Sequence, residues 1–126
     1  MKKISIIILA GIFLFPLISE ADGIWVELSS TPLKRTESSS ALVDDKIYLL
    51  GGFTPKGISK NVEVWDPKSG EWSRIIPLPR GLHHTTASVV DGKLYVIGGF
   101  DSGTWRPVAV NYEYDPEIHR WTAKAP

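Results

Sequence analysis

Asp91-Gly92-Lys93-Leu94-Tyr95-Val96-Ile97-Gly98-Gly99-Phe100 is the stretch that decides the fold, because the chain contains it twice. The upstream copy reads Asp44-Asp45-Lys46-Ile47-Tyr48-Leu49-Leu50-Gly51-Gly52-Phe53, 47 residues earlier at every position. A recurrence at this distance marks a repeat architecture. Asp91-Gly92 is a two-residue hairpin signal, since a tight turn needs positive φ and both residues tolerate it. Lys93 to Ile97 follows as a strand, with Ser88-Val89-Val90 as its antiparallel partner. Leu94 to Ile97 does not alternate apolar with polar, so the strand is expected to be covered on both faces. Gly98-Gly99 ends it where a side chain would obstruct a close backbone approach.

The rest of the chain falls into the same frame. Ser38 to Val43, Lys46 to Leu50, Asn61 to Trp65 and Trp72 to Ile76 read as four strands. Thr85 to Val90, Lys93 to Ile97, Val110 to Tyr114 and a strand around Trp121 repeat them, the last two at a spacing of 49. The two extra residues fall in the loop Asp101 to Ala109, where insertions belong. Val62 and Val64 alternate with polar residues, so the third strand is expected to be half covered. Phe53 to Lys60 reads as a loop. Asp66-Pro67 and Asp115-Pro116 open matching turns, and Trp121 matches Trp72. Trp25 precedes Trp72 by 47 residues, so Trp25 to Leu28 reads as a fourth strand without its first three. No helical period persists after the amino-terminal segment, and the architecture is all-β in units of four strands.

Residues 1–21 carry Lys2-Lys3, an apolar run from Ile4 to Leu17, and small residues Ser19 and Ala21 at the −3 and −1 positions. This is the pattern of a secretory signal peptide, with cleavage expected after Ala21. The run is shorter than the ~20 residues of a spanning helix, so no membrane association is expected after cleavage. Without Lys2, Lys3 and Glu20 the chain keeps 12 basic and 13 acidic residues, a balance that suggests no nucleic-acid partner. Cysteine is absent, which excludes disulfides and thiolate chemistry.

A strand ending in Gly-Gly, then an aromatic before Asp-Pro, then a Trp: the pattern resembles the kelch repeat. Gly51, Gly52, Trp65 and Trp72 carry it first, and Gly98, Gly99, Tyr114 and Trp121 carry it again. The resemblance implies kelch-type β-propeller blades, with the first strand of each blade nearest the axis. Residues 22–126 divide into an orphan outer strand and connector (22–35), a first blade (36–82) and a second (83–126). Trp72 and Trp121 are then plates filling the gap between blades. Propellers close with about 4–8 blades. Two blades and a strand are therefore expected to be the amino-terminal part of a longer propeller, with further blades in cis or in trans. Trp25 to Leu28 would pair with strands outside this chain.

Four-stranded blades place 29–37, 53–60, 77–84 and 100–109 on one face and the tight turns on the other. The long-loop face carries Lys34, Arg35, Lys56, Lys60, Arg80 and Arg106 against Glu37 and Asp101, a sum of +4. Arg35, Arg80 and Arg106 suit bidentate anion contacts, with Lys56 beside them. Trp105 is placed to stack on a sugar ring or a partner side chain. His83-His84 is a candidate ligand contact or acid–base pair, although neighbours on a strand point to opposite faces. No third ligand has metal-site spacing, so neither a metal site nor a cofactor is expected. No Gly-x-Ser-x-Gly, His-Glu-x-x-His or phosphate-loop pattern occurs. Galactose-oxidase-like kelch enzymes need a cysteine this chain lacks. The reading is an extracytoplasmic binding scaffold, secreted or periplasmic, that presents its cationic loop face to a protein or anionic glycan and has no catalytic role of its own. The alternative is part of a periplasmic sugar-modifying kelch enzyme, such as an N-acetylneuraminate epimerase or mutarotase.

Overall fold

A computed structural model of the chain describes residues 23–126. Residues 1–21, read above as a signal peptide, lie outside the described residues. All ten regular elements are strands, and among the described residues no helix is long and apolar enough to cross a membrane. The first four-stranded sheet contains β1 (Ser39–Val43), β2 (Lys46–Leu50), β5 (Val62–Asp66) and β6 (Glu71–Ile75), antiparallel and in that order. The second contains β7 (Thr86–Val90), β8 (Lys93–Ile97), β9 (Asn111–Asp115) and β10 (Arg120–Ala123), paired consecutively. The hairpin turns form as read: Asp44 and Asp45 have φ of 48° and 61°, and Asp91 and Gly92 have 49° and 73°.

The loop expected from Phe53 to Lys60 contains a small hairpin instead, β3 (Phe53–Thr54) with β4 (Gly57–Ile58). Thr54 closes its turn, donating from Oγ1 to the Gly57 carbonyl and accepting the Lys56 amide. Trp25 to Leu28 forms no strand, and Trp25 is 99% exposed. A strand exists only through a ladder, and these residues pair with no described strand. The segment is nevertheless tethered in register with the repeat. Trp72 Nε1 donates to the Ser29 carbonyl at 3.1 Å, and Trp121 Nε1 donates to the Ile76 carbonyl at 3.2 Å, the two acceptors 47 residues apart. Each outer-strand tryptophan thus pins the chain that enters its blade.

The two sheets stack flank to flank, and they bury opposite flanks. In the first blade Tyr48, Leu50, Val62 and Val64 are buried while Ile47 is 38% exposed. In the second, Leu94, Val96 and Tyr114 are buried while Ile97 is 44% exposed. Repeat equivalence pairs Ile47 with Leu94 and Leu50 with Ile97, so identical positions have opposite environments. The inner strands are therefore covered on one face only, not on both, because two blades share a single interface. Tyr48 and Tyr114 meet across it with ring centroids 6.1 Å apart, and Ser39 Oγ bonds the Thr85 carbonyl and hydroxyl. Each aliphatic side chain sealed there contributes about 1.5–3 kcal/mol.

The free flanks each hold a buried carboxylate. On the first blade it is Glu63, so β5 buries all of Val62, Glu63 and Val64 rather than half of them. On the second it is Glu113, which accepts from Tyr95 Oη at 2.6 Å and pairs with Lys124 at 3.0 Å. The position equivalent to Glu113 is Val64, in the interface. Tyr95 and Lys124 hold the Glu113 carboxyl below its ordinary range, and Lys93 does the same for Asp115.

At the first glycine pair the second connector lies directly against the backbone of the first blade. Gly52 donates to the Leu82 carbonyl of the second connector at 2.8 Å, and a Cβ on Gly51 would overlap that same oxygen. Gly98 has the same backbone, φ of 62° against 61°, but the nearest atom to its virtual Cβ is 3.9 Å away. Gly51→Ala and Gly98→Ala therefore share the left-handed penalty of about 1–2 kcal/mol. Only Gly51→Ala adds an overlap, expected to cost a further ~1–3 kcal/mol. Urea unfolding of the two variants measures the difference, and equal midpoint shifts would contradict the close approach. In acid the sign is fixed by the lowered carboxyl pKa of Glu113 and Asp115. Their contribution to stability is full above the unfolded carboxylate pKa of ~4 and is lost as pH falls through the lower folded values. Tyr95→Phe removes the first of those causes, and an NMR titration should then show the Glu113 pKa rising.

Candidate functional site

The long loops share one end of the stack, as the repeat requires. Thr36 bridges to Phe53 and His83 bridges to Phe100, so each connector pairs with the segment after its own Gly-Gly. The opposite end gathers Asp44, Asp91, Asp115 and Glu117 beside Lys93.

The loop end holds an aromatic and histidine cluster. His83 is 1% exposed and lies against Phe53, with ring centroids 4.1 Å apart, and parallel to Phe100 at 5.5 Å. Its Nε2 lies 3.1 Å from the Ser102 carbonyl oxygen, which can only accept, so Nε2 carries a proton. Trp105, 58% exposed and at φ of 57°, stands edge-on to Phe100 and to both histidines. The two histidines do not point to opposite faces. His84 adopts φ of 52°, which swings its ring back toward its neighbour until the two Nδ1 atoms are 2.7 Å apart. Opposite alternation holds only for extended backbone. Glu37, the repeat equivalent of His84, has the same left-handed backbone at 55° and brings its carboxylate to 3.2 Å from His84 Nδ1. The His84 amide donates to the Glu37 carbonyl at 3.1 Å, locking the two connectors together. Spacing arguments for a ligand set overlooked Glu37, yet the 47-residue offset from His84 is the signal that finds it.

The cationic residues divide. Arg35 is not a surface group. Its side chain is 1% exposed, paired with Glu63 and donating to the Gly51 carbonyl at 3.0 Å. Burial lowers its pKa and Glu63 opposes that shift. Arg74 holds the other Glu63 oxygen at 2.9 Å, and Thr31 donates to the carboxylate as well. The repeat position of Arg35 is filled by Leu82, fully buried, in the second blade. Arg35 is therefore a flank residue, corrected from its place among the anion contacts. Arg80 is neutralised by Asp101 at 3.0 Å. Arg106 is exposed next to Trp105.

Lys56 sits on the β3–β4 turn and lines an open groove of about 560 Å³ with Lys34, Lys60 and Arg74 over Leu33, Pro55 and Ile58. No acidic residue lines it, and among the described residues Lys34, Lys56 and Lys60 join no ion pair. A second groove of about 370 Å³ runs from Lys34 along Thr36 to Phe53, whose ring lies on His83. The lysine groove and the histidine cluster thus border one continuous surface.

The Kelch motif matches residues 34–79 and again 81–126. The chain belongs to the kelch-repeat family. An F-box/kelch-repeat protein of Arabidopsis thaliana is 36% identical over 53 residues, 42% of this chain and 14% of that protein. Kelch-like protein 7 of Rattus norvegicus is 38% identical over 55 residues, 44% of this chain and 9% of its own. The solved structure of YjhT superposes with a TM-score of 0.74 at 19% identity, covering 85% of this chain and 42% of YjhT. That likeness shows the fold alone: these are blades of a kelch β-propeller. The kelch chain spans less than half of YjhT and about a seventh or less of these curated relatives.

Truncating Arg35 would leave Glu63 half-paired in a buried site. Arg35→Ala is expected to cost about 3–5 kcal/mol, whereas Arg106→Ala should stay within about 0.5 kcal/mol. Chemical unfolding separates them, and a surface role for Arg35 predicts equal, small effects.

Proposed function

We propose that this kelch chain is part of an extracytoplasmic interaction scaffold whose loop face takes an anionic ligand, either a protein surface or a glycan bearing carboxylates or sulfates. The observation that carries the reading is the lysine groove, with Lys34, Lys56 and Lys60 converging over an apolar floor and no acid in its lining. Cations left unpaired in a concave surface raise the local concentration of anions and orient them. Arg106 and Trp105 extend the surface with a further cation and an aromatic edge. The export pattern of residues 1–21 supports a secreted or periplasmic location.

The scaffold extends to further blades, in cis or in trans. The Gly99 amide donates to no backbone carbonyl among the described residues, whereas Gly52 is matched by Leu82. A following connector at Gly98-Gly99 would reproduce the contact made at Gly51-Gly52. Trp25 to Leu28, exposed and followed by the Ser29 carbonyl that Trp72 holds, would become an outer strand on pairing with a further blade.

A second reading rests on Glu37 and His84, whose carboxylate and imidazole lie 3.2 Å apart as an acid–base pair would. It places the chain in a sugar-modifying kelch enzyme acting on an anionic sugar, such as an N-acetylneuraminate epimerase or mutarotase.

The test uses the full chain against sulfated and sialylated glycans and acidic peptides, at low and high salt. The triple variant Lys34/Lys56/Lys60→Glu is expected to weaken binding at least about tenfold, equivalent to 1.4 kcal/mol. Binding indifferent to that charge reversal would sink the scaffold reading. Anomer exchange of N-acetylneuraminate followed by NMR, and lost in His84→Ala, would favour the enzyme instead.

A further inference from the structure

We propose that Glu37, His83 and His84 form a binding site for a zinc-class divalent cation at the loop end of the blade interface. Three side chains of suitable type converge there: the His83 and His84 Nδ1 atoms are 2.7 Å apart, and a Glu37 carboxylate oxygen lies 3.8 Å from the first and 3.2 Å from the second. All three donor atoms fall within 4.8 Å of one another. Two imidazoles and one carboxylate are a donor set that suits zinc and leaves one position of a tetrahedron for water or an anionic ligand atom.

The protonation pattern prepares the site. His83 Nε2 must donate to the Ser102 carbonyl, so in the neutral ring Nδ1 is a bare lone pair. A ligating histidine is typically held this way, its other nitrogen tied to a carbonyl that fixes tautomer and orientation. Phe53 and Phe100 pack on the His83 ring, so that lone pair has one direction. Two bare nitrogens cannot face each other at 2.7 Å, so His84 Nδ1 supplies the proton between them, within reach of the Glu37 carboxylate. A cation takes the place of that proton. His84 then carries its hydrogen on Nε2, and the donor atoms spread to the ~3.3 Å separation that bonds of about 2.0–2.1 Å in a tetrahedron require.

The backbone is also built for convergence. Glu37 and His84 occupy the same repeat position in consecutive blades, and both are left-handed non-glycine residues. Such conformations persist where surrounding structure holds them, and they gather at functional sites. Here they turn two equivalent side chains toward one point from two blades, with His83 as the third arm. An ion there would tie the first connector to the second beside their backbone bond. The proposal is independent of the anionic-ligand reading, since it concerns the metal alone.

Calorimetric titration of the untagged full chain with zinc chloride tests it. One ion per chain at micromolar concentrations is expected, with His84→Ala and Glu37→Ala each weakening binding at least about tenfold, the scale of losing one supporting group around a metal. Both substitutions lie on exposed residues, and circular dichroism checks that the sheets persist. Nitrogen-15 NMR provides the second readout: zinc should move Nδ1 of His83 and His84 and leave His119 unchanged. Absence of stoichiometric binding, binding that survives both substitutions, or shifts centred on His119 would each overturn the proposal.

Discussion

The close approach of the second connector to the first Gly-Gly pair is the constraint on which the structure depends. The Leu82 carbonyl accepts the Gly52 amide at 2.8 Å and occupies the space a Cβ on Gly51 would need. Only glycine can stand there, for steric reasons as much as for φ. Once that strip of backbone is in contact, the second sheet can lie only with Leu94, Val96 and Tyr114 turned toward Tyr48, Leu50, Val62 and Val64. Each connector is also forced to run beside the segment after its own Gly-Gly, and all the long loops arrive at one end. The position of the long-loop face is therefore a consequence of the packing rule that repeats the blade.

Charge placement follows from which flanks are shared. Inside the interface the paired positions are aliphatic or aromatic. On the outward flanks the equivalent positions carry Glu63 and Glu113, each held by cations and hydroxyls. A buried carboxylate without such partners would be severely destabilising, so the cations on both flanks are structural before they are anything else. Three features separate Arg35 from the lysines nearby: its burial, its ion pair with a buried acid and its apolar counterpart Leu82. The lysines of the groove are exposed and join no ion pair among the described residues.

The loop end combines two chemistries on one surface. The groove of Lys34, Lys56 and Lys60 offers diffuse positive charge over an apolar floor. The cluster of Glu37, His83 and His84 offers directed lone pairs backed by aromatic rings. Phe53 joins them, since it borders the second groove and lies against His83.

The residue pattern by itself determined the blades. The 47-residue offset, the two hairpin turns, the Gly-Gly ends and the matching tryptophans are local or periodic features, and local sterics and side-chain period act on them directly. The same offset placed the long loops on one end. Which copy of each position faces a neighbour was settled by the stacking of the two sheets. Ile47 and Leu94 are equivalent in sequence, yet one is exposed and the other sealed, because burial depends on stacking order rather than on the residue. For the same reason Arg35 read as a surface cation and proved to be the partner of a buried acid. The left-handed turn at His84, which joins two histidines that strand alternation would separate and brings Glu37 to them, depends on connectors meeting across the interface. At Glu37 and His84, unlike the aspartates of the hairpin turns, a φ of that kind is not announced by the residue type.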